Sequence, residues 1–227
     1  MSEISIIVKD VTKEYQRGDR VFKAVDTVNL SIESGDFISI IGKSGSGKST
    51  LLNIIAGLIT PTYGNVEVDG EILSSFSDSK LSSYRNEKIG YIPQWQSTLA
   101  GLTVLDNVRL PFYLVKRQGN SIARAHELLH LVSIAHLARS YPKHLSGGEL
   151  KRVAIARALI NDPDIIIADE PTGDLDRQTT SEVLELLQTV VHSGKAVLFV
   201  THDLNAVRYG NRSFIMESGT LSSNITL

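Results

Sequence analysis

The sequence predicts an α/β fold, with a sheet core and a helical insert between residues of roughly 95 and 150. Residues 37–41 form a nearly continuous apolar run, which is typical of a strand buried on both faces of a parallel sheet. Residues 165–169 and 196–201 are similar runs, and a helical pattern lies between them. Because strands alternate with helices in this way, the chain favours an α/β sheet core.

Further elements fill the rest of the first half. Residues 51–58 are apolar and predict a core helix directly after a glycine-rich loop, and residues 89–92 predict another strand. Strand patterns rich in β-branched residues, with glycine turns near them, occupy three more segments: 4–8, 25–32 and 65–68.

Two amphipathic helices are predicted from apolar residues that recur at helical spacing. Ser121 is the expected N-cap of the first helix, and Gly194 is the expected end of the second. The apolar face of the first helix consists of Ile122, Ala125, Leu128, Leu129 and Val132. The inward face of the second consists of Val183, Leu184, Leu187, Val190 and Val191.

The composition excludes several classes of function. Hydrophobic residues make up 42% of the 227 residues and charged residues 21%, an ordinary globular balance. The formal net charge of -2 gives no support for a nucleic-acid partner or for charge-driven membrane binding. There are no cysteines, which excludes disulfides and fits a reducing, cytoplasmic environment. Residues 1–10 lack a secretory signal pattern, and no run of about 18 apolar residues occurs, so we expect a partner to supply any membrane-spanning part.

The glycine-rich loop is the strongest functional pattern in the sequence. Its glycines let backbone N–H groups surround phosphate oxygens, Lys48 can reach the β- and γ-phosphates, and the Ser49 hydroxyl can ligate magnesium. A plain glycine-serine turn would not explain a lysine in a first helical turn, where a cation opposes the helix macrodipole. We therefore predict a site for ATP and Mg²⁺ formed by Gly42, Lys43, Ser44, Gly45, Ser46, Gly47, Lys48, Ser49 and Thr50.

Two acidic residues lie at the end of the apolar run 165–169: one is its last residue and the other follows directly. Asp169 and Glu170 point to opposite sides of an extended chain, so they need not share one role. One acid can hold the magnesium ion, and the other can orient and deprotonate the water that attacks the γ-phosphate. A solvent-facing strand end would also accept an Asp-Glu pair, and the glycine-rich loop is what favours the catalytic interpretation.

A second glycine motif identifies the family. Leu145, Ser146, Gly147, Gly148 and Glu149 resemble the signature motif of ABC transporter ATPases. Ser146 and Glu149 also fit a capping box for the helix that follows, and this structural role is compatible with phosphate binding at the helix start. The resemblance spans essentially the whole chain, with every motif in family order.

The resemblance implies a P-loop NTPase (RecA-like) core with an N-terminal antiparallel β-subdomain and an inserted α-helical subdomain, in one nucleotide-binding domain over residues 1–227. It implies that Gln94 acts both in catalysis and, with Ser49 and Asp169, on the metal. The adenine-stacking aromatic, the catalytic glutamate, the switch histidine and the two acids of the dimer-contacting loop correspond to Tyr15, Glu170, His202, Asp174 and Asp176. An aromatic at a strand end needs no such role, so Tyr15 is also compatible with a structural one.

The resemblance also implies an assembly. In this family two nucleotide-binding domains face head to tail, with ATP between the P-loop of one and the signature motif of the other. We therefore expect a homodimer that drives a membrane permease from the cytoplasmic face of the membrane, with the permease contacted near residues 94–107. Trp95 and Leu99 are either anchors for that partner or parts of the local core. The alternative is a soluble ABC-type ATPase that acts on nucleic acid or ribosomes, although such relatives usually carry paired ATPase domains or coiled-coil inserts.

Three longer stretches, residues 141–149, 152–159 and 171–176, are similar to one bacterial subfamily. It includes lipoprotein-releasing, macrolide-efflux, antimicrobial-peptide-resistance and cell-division complexes. Glu149 stands where glutamine is commoner, and Asp174 stands where this subfamily often has asparagine. Neither difference removes a catalytic group.

Overall fold

The computed structural model describes residues 5–95, 97–115 and 118–223. It confirms the predicted α/β fold with two sheets. The strands are β1 Ser5–Arg17, β2 Arg20–Glu33, β3 Phe37–Ile41, β4 Tyr63–Val68, β5 Glu71–Ile72, β6 Ile89–Ile92, β7 Ile165–Asp169, β8 Ala196–Thr201, β9 Arg212–Glu217 and β10 Thr220–Ser222. The α-helices are α1 Lys48–Ile55, α2 Asp78–Ser83, α3 Val104–Leu114, α4 Ser121–Leu131, α5 Gly147–Leu159 and α6 Arg177–His192.

The larger sheet has six strands in the order β10-β9-β3-β8-β7-β6. Strands β9, β3, β8, β7 and β6 are parallel, and only the edge strand β10 runs antiparallel to its neighbour. The carboxyl ends of β3, β8, β7 and β6 therefore lie side by side along one edge. Open α/β sheets bind their ligands at this edge.

The smaller sheet is antiparallel, in the order β2-β1-β4-β5. Strands β1 and β2 form a hairpin that is longer than the predicted segments 4–8 and 25–32, of which Ile4 lies outside the described residues. The pairing continues to Arg17 opposite Arg20 through exposed residues, so a burial pattern could not reveal it. This extension brings residues 15 and 22 together at the side of the larger sheet's carboxyl edge.

Because successive side chains of a strand point to opposite faces, the two faces of the larger sheet belong to two different hydrophobic cores. One face, with Ile38 and Ile167, packs on α1 and the antiparallel sheet. The other face, with Ala168 and Phe199, packs on α3 to α6. Strands β3, β7 and β8 are buried along their whole length, as expected for a sheet that is covered on both sides.

The helices between β6 and β7 correct two details of the sequence interpretation. The N-cap of α4 is Asn120, whose side-chain oxygen accepts from the N–H groups of Ile122 and Ala123, both at 3.1 Å. Ser121 is instead the first residue of α4; it is buried, and its hydroxyl accepts from the Nε of Arg109 at 3.2 Å. Ile122 was predicted to face the core but is exposed, since it lies at the start of the helix beyond the packed residues.

The core helix is also shifted from its predicted range of 51–58. Helix α1 ends at Ile55, because Gly57 adopts a left-handed φ of 67° and turns the chain, which leaves Leu58 exposed. Within the described part of the chain, we find no helix with the length and apolarity needed to cross a bilayer.

Candidate active site

The glycine-rich loop joins β3 to α1 at the carboxyl edge of the larger sheet. Gly47 is the N-cap of α1 and has a left-handed φ of 107°. A Cβ atom on Gly47 would lie 2.0 Å from the carbonyl oxygen of Ala24, so no other residue fits this close approach. The N–H groups at the start of α1 face out of the helix and are free for an anion, as in other phosphate-binding loops.

Lys48 is the first residue of α1 and is only 7% exposed. Its ammonium group donates to the carbonyl oxygens of Gly42 at 2.7 Å and Lys43 at 3.0 Å. These contacts fold the side chain back over the loop. The lysine that opposes the helix macrodipole is therefore held where a phosphate group on the loop would meet it.

A cleft of about 840 Å³ opens above the loop. It unites groups at the ends of β3, β6, β7 and β8 with groups from the β1–β2 hairpin and from the turn between β9 and β10. Of the residues predicted from sequence, it is lined by Tyr15, Lys43, Ser44, Gly45, Gly47, Lys48, Ser49, Thr50, Gln94, Asp169, Glu170 and His202. Gly42 and Ser46 belong to the loop but do not line the cleft, because Ser46 is buried and Gly42 packs against the backbone of Met216.

One wall of the cleft is aromatic. Tyr15 pairs with Phe22 across the β1–β2 hairpin, and their rings stack with centroids 5.8 Å apart and an interplanar angle of 28°. The Lys13 ammonium lies 5.4 Å from the centre of the Tyr15 ring. Stacked rings beside a phosphate loop form a surface suited to a planar base.

Five residues of this cleft were not predicted from the sequence. They lie on β2 and on the turn between β9 and β10, far from the motifs along the chain: Phe22, Lys23, Ala24, Ser218 and Gly219. Phe22 could be found only from the register of the β1–β2 hairpin. The local sequence pattern does not reveal which residues of two strands pair.

Asp169 ends β7 inside the cleft and is buried. Burial raises the pKa of its carboxyl group above the ordinary value, and the Glu170 charge adds to this, while a hydrogen bond with Ser49 and the charge of Lys48 act in the opposite direction. Its Oδ1 atom is buried and has no hydrogen-bond partner among the described residues. A buried carboxylate oxygen without a partner, next to a serine hydroxyl, fits the oxygen ligands that Mg²⁺ takes beside nucleotide phosphates.

Glu170 follows Asp169 and is 8% exposed. Its backbone has a φ of 48°, an unusual value for a residue other than glycine, and its N–H donates to the carbonyl oxygen of Val200 at 3.0 Å. The carboxylate lies 3.1 Å from the Nδ1 atom of His202, which follows β8. The two side chains thus meet at the carboxyl ends of neighbouring strands.

The signature motif lies outside this cleft. Ser146 and Glu149 form the predicted capping box of α5, since the Glu149 carboxylate accepts from the Ser146 N–H at 2.7 Å and from its hydroxyl at 2.8 Å. These hydrogen bonds lower the pKa of Glu149. None of residues 145–149 lines the cleft, and Gly147 instead borders a second cavity, of about 480 Å³, next to Gln94 and Asp174.

The two acids predicted for the dimer loop differ in their surroundings. Asp176 is the N-cap of α6 and accepts from the N–H groups of Gln178 at 2.9 Å and Thr179 at 3.0 Å. Asp174 has a left-handed φ of 63° and borders the second cavity. The Asp176 carboxylate is therefore occupied by helix capping, whereas Asp174 is presented on a turn.

Comparison with known proteins decides the family. A family model described as ABC transporter matches residues 25–173. The chain belongs to the ABC transporter family. It is 43% identical over 220 residues to the uncharacterized ABC transporter ATP-binding protein MJ0796 of Methanocaldococcus jannaschii, covering 94% of each chain. It is 40% identical to the macrolide export ATP-binding/permease protein MacB of Mannheimia succiniciproducens, where 95% of this chain matches only 34% of that longer protein.

Solved structures of ABC cassettes share the fold. A dimeric structure of the MJ0796 cassette superposes with a TM-score of 0.89 at 42% identity, covering 96% of both chains. A second dimeric structure of that cassette, in a post-hydrolysis state with ADP and Pi, gives a TM-score of 0.89 at 40% identity and covers 98% of this chain. This ABC transporter chain is an ATP-binding cassette that hydrolyses ATP, which confirms the predicted ATPase. The relatives fit the transporter interpretation rather than a soluble ATPase acting on nucleic acid or ribosomes.

Proposed function

We propose that two copies of this cassette close head to tail around two ATP molecules and thereby move a membrane permease. One observation carries this proposal: the cleft contains the phosphate loop, both acids, Gln94 and His202, but none of residues 145–149. A second copy would supply the missing signature motif. The dimeric structures of the MJ0796 cassette support this assembly.

In each composite site, we assign the phosphates to the loop N–H groups and to Lys48. Ser49, Asp169 and Gln94 would hold the magnesium ion, which when bound offsets the charge of the phosphate oxygens. Ser49 and Asp169 already share a hydrogen bond, and Asp169 has an unpartnered buried oxygen. In this arrangement Glu170 is not needed as a metal ligand.

Glu170 is then the general base. It would accept a proton from a water molecule whose oxygen forms a bond to the γ-phosphorus, while the bond from that phosphorus to the β,γ-bridging oxygen breaks. His202 contacts both Glu170 carboxylate oxygens. It would orient this base and lie near the γ-phosphate. Ser146 and Gly148 of the second copy complete the site at the start of helix α5, where unpaired N–H groups favour an anion.

The partner-facing segment, residues 94–107, supports a permease contact. Trp95 is 79% exposed and Leu99 is 48% exposed, whereas Gln96 lies outside the described residues. Asn107, the last residue of the segment, is fully buried: its side chain accepts from the Leu99 N–H at 2.7 Å and donates to three carbonyl oxygens, including that of Leu99 at 3.1 Å. Leu99 is thus presented on a braced part of the loop, as an interface anchor would be, and Trp95 is exposed on the same segment.

The relatives suggest where the permease comes from. The printed name of MacB joins an ATP-binding part and a permease in one protein, and this chain matches about a third of it. We infer that the cassette works at the cytoplasmic face of a membrane against a permease that plays the role of the remaining part. The macrolide cargo belongs to that relative, and cargo choice here would lie in the permease.

A pull-down from detergent-solubilised membranes tests the permease contact. The wild-type chain and two variants, Leu99→Ser and Leu131→Ser, are used as bait. Leu131 is the matched control, since it is 44% exposed but lies at the end of α4. We expect an integral-membrane protein to co-purify with the wild type and the control, and its recovery to fall several-fold with Leu99→Ser. Equal recovery with both variants would remove Leu99 from the interface, and failure to recover any membrane protein with the wild type would count against the permease.

A further inference from the structure

Lys151 lies outside every motif considered so far but contacts two of them. It belongs to α5, the helix that begins at the signature motif, and lies one turn after Gly147. Its ammonium group donates to the carbonyl oxygen of Gln94 at 3.2 Å and to that of Glu170 at 3.2 Å. One side chain therefore joins the signature helix to the loops that follow β6 and β7.

The surroundings of Lys151 act on its charge in two opposite directions. Burial lowers its pKa, while the charges of Asp174, Glu170 and Asp169 act in the opposite direction. The hydrogen bonds to two carbonyl oxygens and the attraction of three nearby carboxylates hold the half-buried ammonium group in position. The contact also borders the 480 Å³ cavity between the Gln94 loop, α5 and the Asp174 turn.

We propose that Lys151 is a positioning residue of the ATPase reaction, which couples helix α5 to the backbone of Gln94 and Glu170 in the same chain. The proposal rests on the composite sites described above. The signature motif at the start of α5 would contact the nucleotide held by the other copy, whereas Gln94 and Glu170 act on the nucleotide held by their own copy. Lys151 is then a physical link by which one ATP site senses that the other is closed.

The link acts through backbone position. Glu170 adopts a left-handed φ of 48°, and its carbonyl oxygen accepts from Gly173 N–H at 3.1 Å as well as from Lys151. A small rotation of the residue moves the carboxylate relative to the attacking water. Since misplacing a reacting group by about 1 Å costs about 100-fold in rate, loss of the Lys151 contact should lower kcat without weakening ATP binding.

Steady-state kinetics of the full chain test this prediction. Lys151→Met removes the ammonium group, Lys151→Arg keeps a cation that can donate to both carbonyl oxygens, and Lys143→Met removes an exposed lysine ahead of the same helix. We expect Lys151→Met to lower kcat about 10- to 100-fold and to reduce the Hill coefficient for ATP, with the nucleotide Kd within about 2-fold of wild type. Lys151→Arg should recover most of the rate, and Lys143→Met should match wild type.

A second readout uses the only tryptophan in the chain, Trp95, which is adjacent to Gln94. In a Glu170→Gln background, MgATP should change the Trp95 emission, and Lys151→Met should reduce this change while Lys151→Arg retains it. This measurement needs no turnover, and a melting curve for each variant reports whether the fold is kept. Should Lys151→Met lower the melting temperature markedly, Lys151→Gln, which removes the charge but keeps a side-chain NH2 donor group, is measured in its place.

The outcomes separate this proposal from the function on which it rests. Wild-type kcat and Hill coefficient in Lys151→Met, or equal losses in Lys151→Met and Lys151→Arg, would overturn the role of Lys151. A parallel rise in Kd would overturn it too, since the lysine would then be a binding group. If Glu170→Gln alone hydrolyses ATP at the wild-type rate, the assigned catalytic base is wrong, which is a failure of the proposed function.

Discussion

The Nδ1 atom of His202 lies 3.1 Å from each carboxylate oxygen of Glu170. The glutamate side chain is 10% exposed and the histidine 70% exposed, so the imidazole covers the carboxylate at the mouth of the cleft. The two residues follow β7 and β8, which are adjacent strands. The histidine can therefore orient the carboxylate while its own outer edge still faces a nucleotide.

Replacing Glu170 by glutamine tests the general base. The amide keeps the size of the side chain but cannot accept the proton of the attacking water. We expect Glu170→Gln to lower the rate of phosphate release by at least about 100-fold, to keep the nucleotide Kd, and to favour a dimer in size-exclusion chromatography with MgATP. Turnover at the wild-type rate would contradict the assignment.

Lys48→Ala tests the phosphate contact. A buried hydrogen bond to a charged group contributes about 1.5–3 kcal/mol, so nucleotide affinity should fall about 10- to 100-fold. Calorimetric titration with ATP measures this change. Lys80→Ala is the control, because Lys80 pairs with Glu71 on the surface, outside the residues that line the cleft, and the affinity of this variant should stay at the wild-type value.

The aromatic wall predicts a selective loss of base binding. Tyr15→Ala should weaken ATP binding by about 1–3 kcal/mol, the usual contribution of stacking on a base. Phe22→Ala should have a smaller effect of about 0.5–1.5 kcal/mol, because it removes the ring that supports Tyr15. Neither change should alter the binding of inorganic tripolyphosphate, which has no base.

Tyr63→Ala is the matched control for the aromatic wall, since Tyr63 is exposed and does not line the cleft. Equal losses for ATP and tripolyphosphate would show that the hairpin supports the loop rather than the base.

Asp169→Asn should increase the stability of the fold and abolish magnesium-dependent hydrolysis. Burial raises the pKa of Asp169, so the folded state holds a proton more tightly than the unfolded state, and the free energy of unfolding falls as pH rises above the ordinary value of 3.8. The amide carries no charge, and so Asp169→Asn should be more stable than wild type at pH 7 while losing magnesium-dependent hydrolysis. The stability difference should vanish below pH 3.8, where the aspartate is protonated in both states.

Urea unfolding across this pH range measures the difference between Asp169→Asn and wild type. Asp176→Ala should instead lower the free energy of unfolding at pH 7. Hydrogen bonds from Thr179 lower the pKa of Asp176, and its carboxylate stabilises the start of α6. A loss of stability in Asp169→Asn at pH 7 would show that its charge is compensated in the folded state.

The sequence alone determined the fold class, the family and the motifs. Apolar runs such as 37–41 and 165–169 carry their own evidence of burial on both faces, and the phosphate loop is contiguous, so local pattern was sufficient for both. The capping box of Ser146 and Glu149 was equally readable, because its hydrogen bonds span only three residues.

Which residues meet could be learned from the tertiary structure alone. Phe22 reaches the cleft through the register of a hairpin, Lys151 reaches Gln94 across 57 positions of sequence, and the signature motif is held apart from the cleft of its own chain. These relationships depend on how strands align and how helices pack over the sheet. Such long-range contacts are set by the sum of many burial and pairing energies, which no local pattern records.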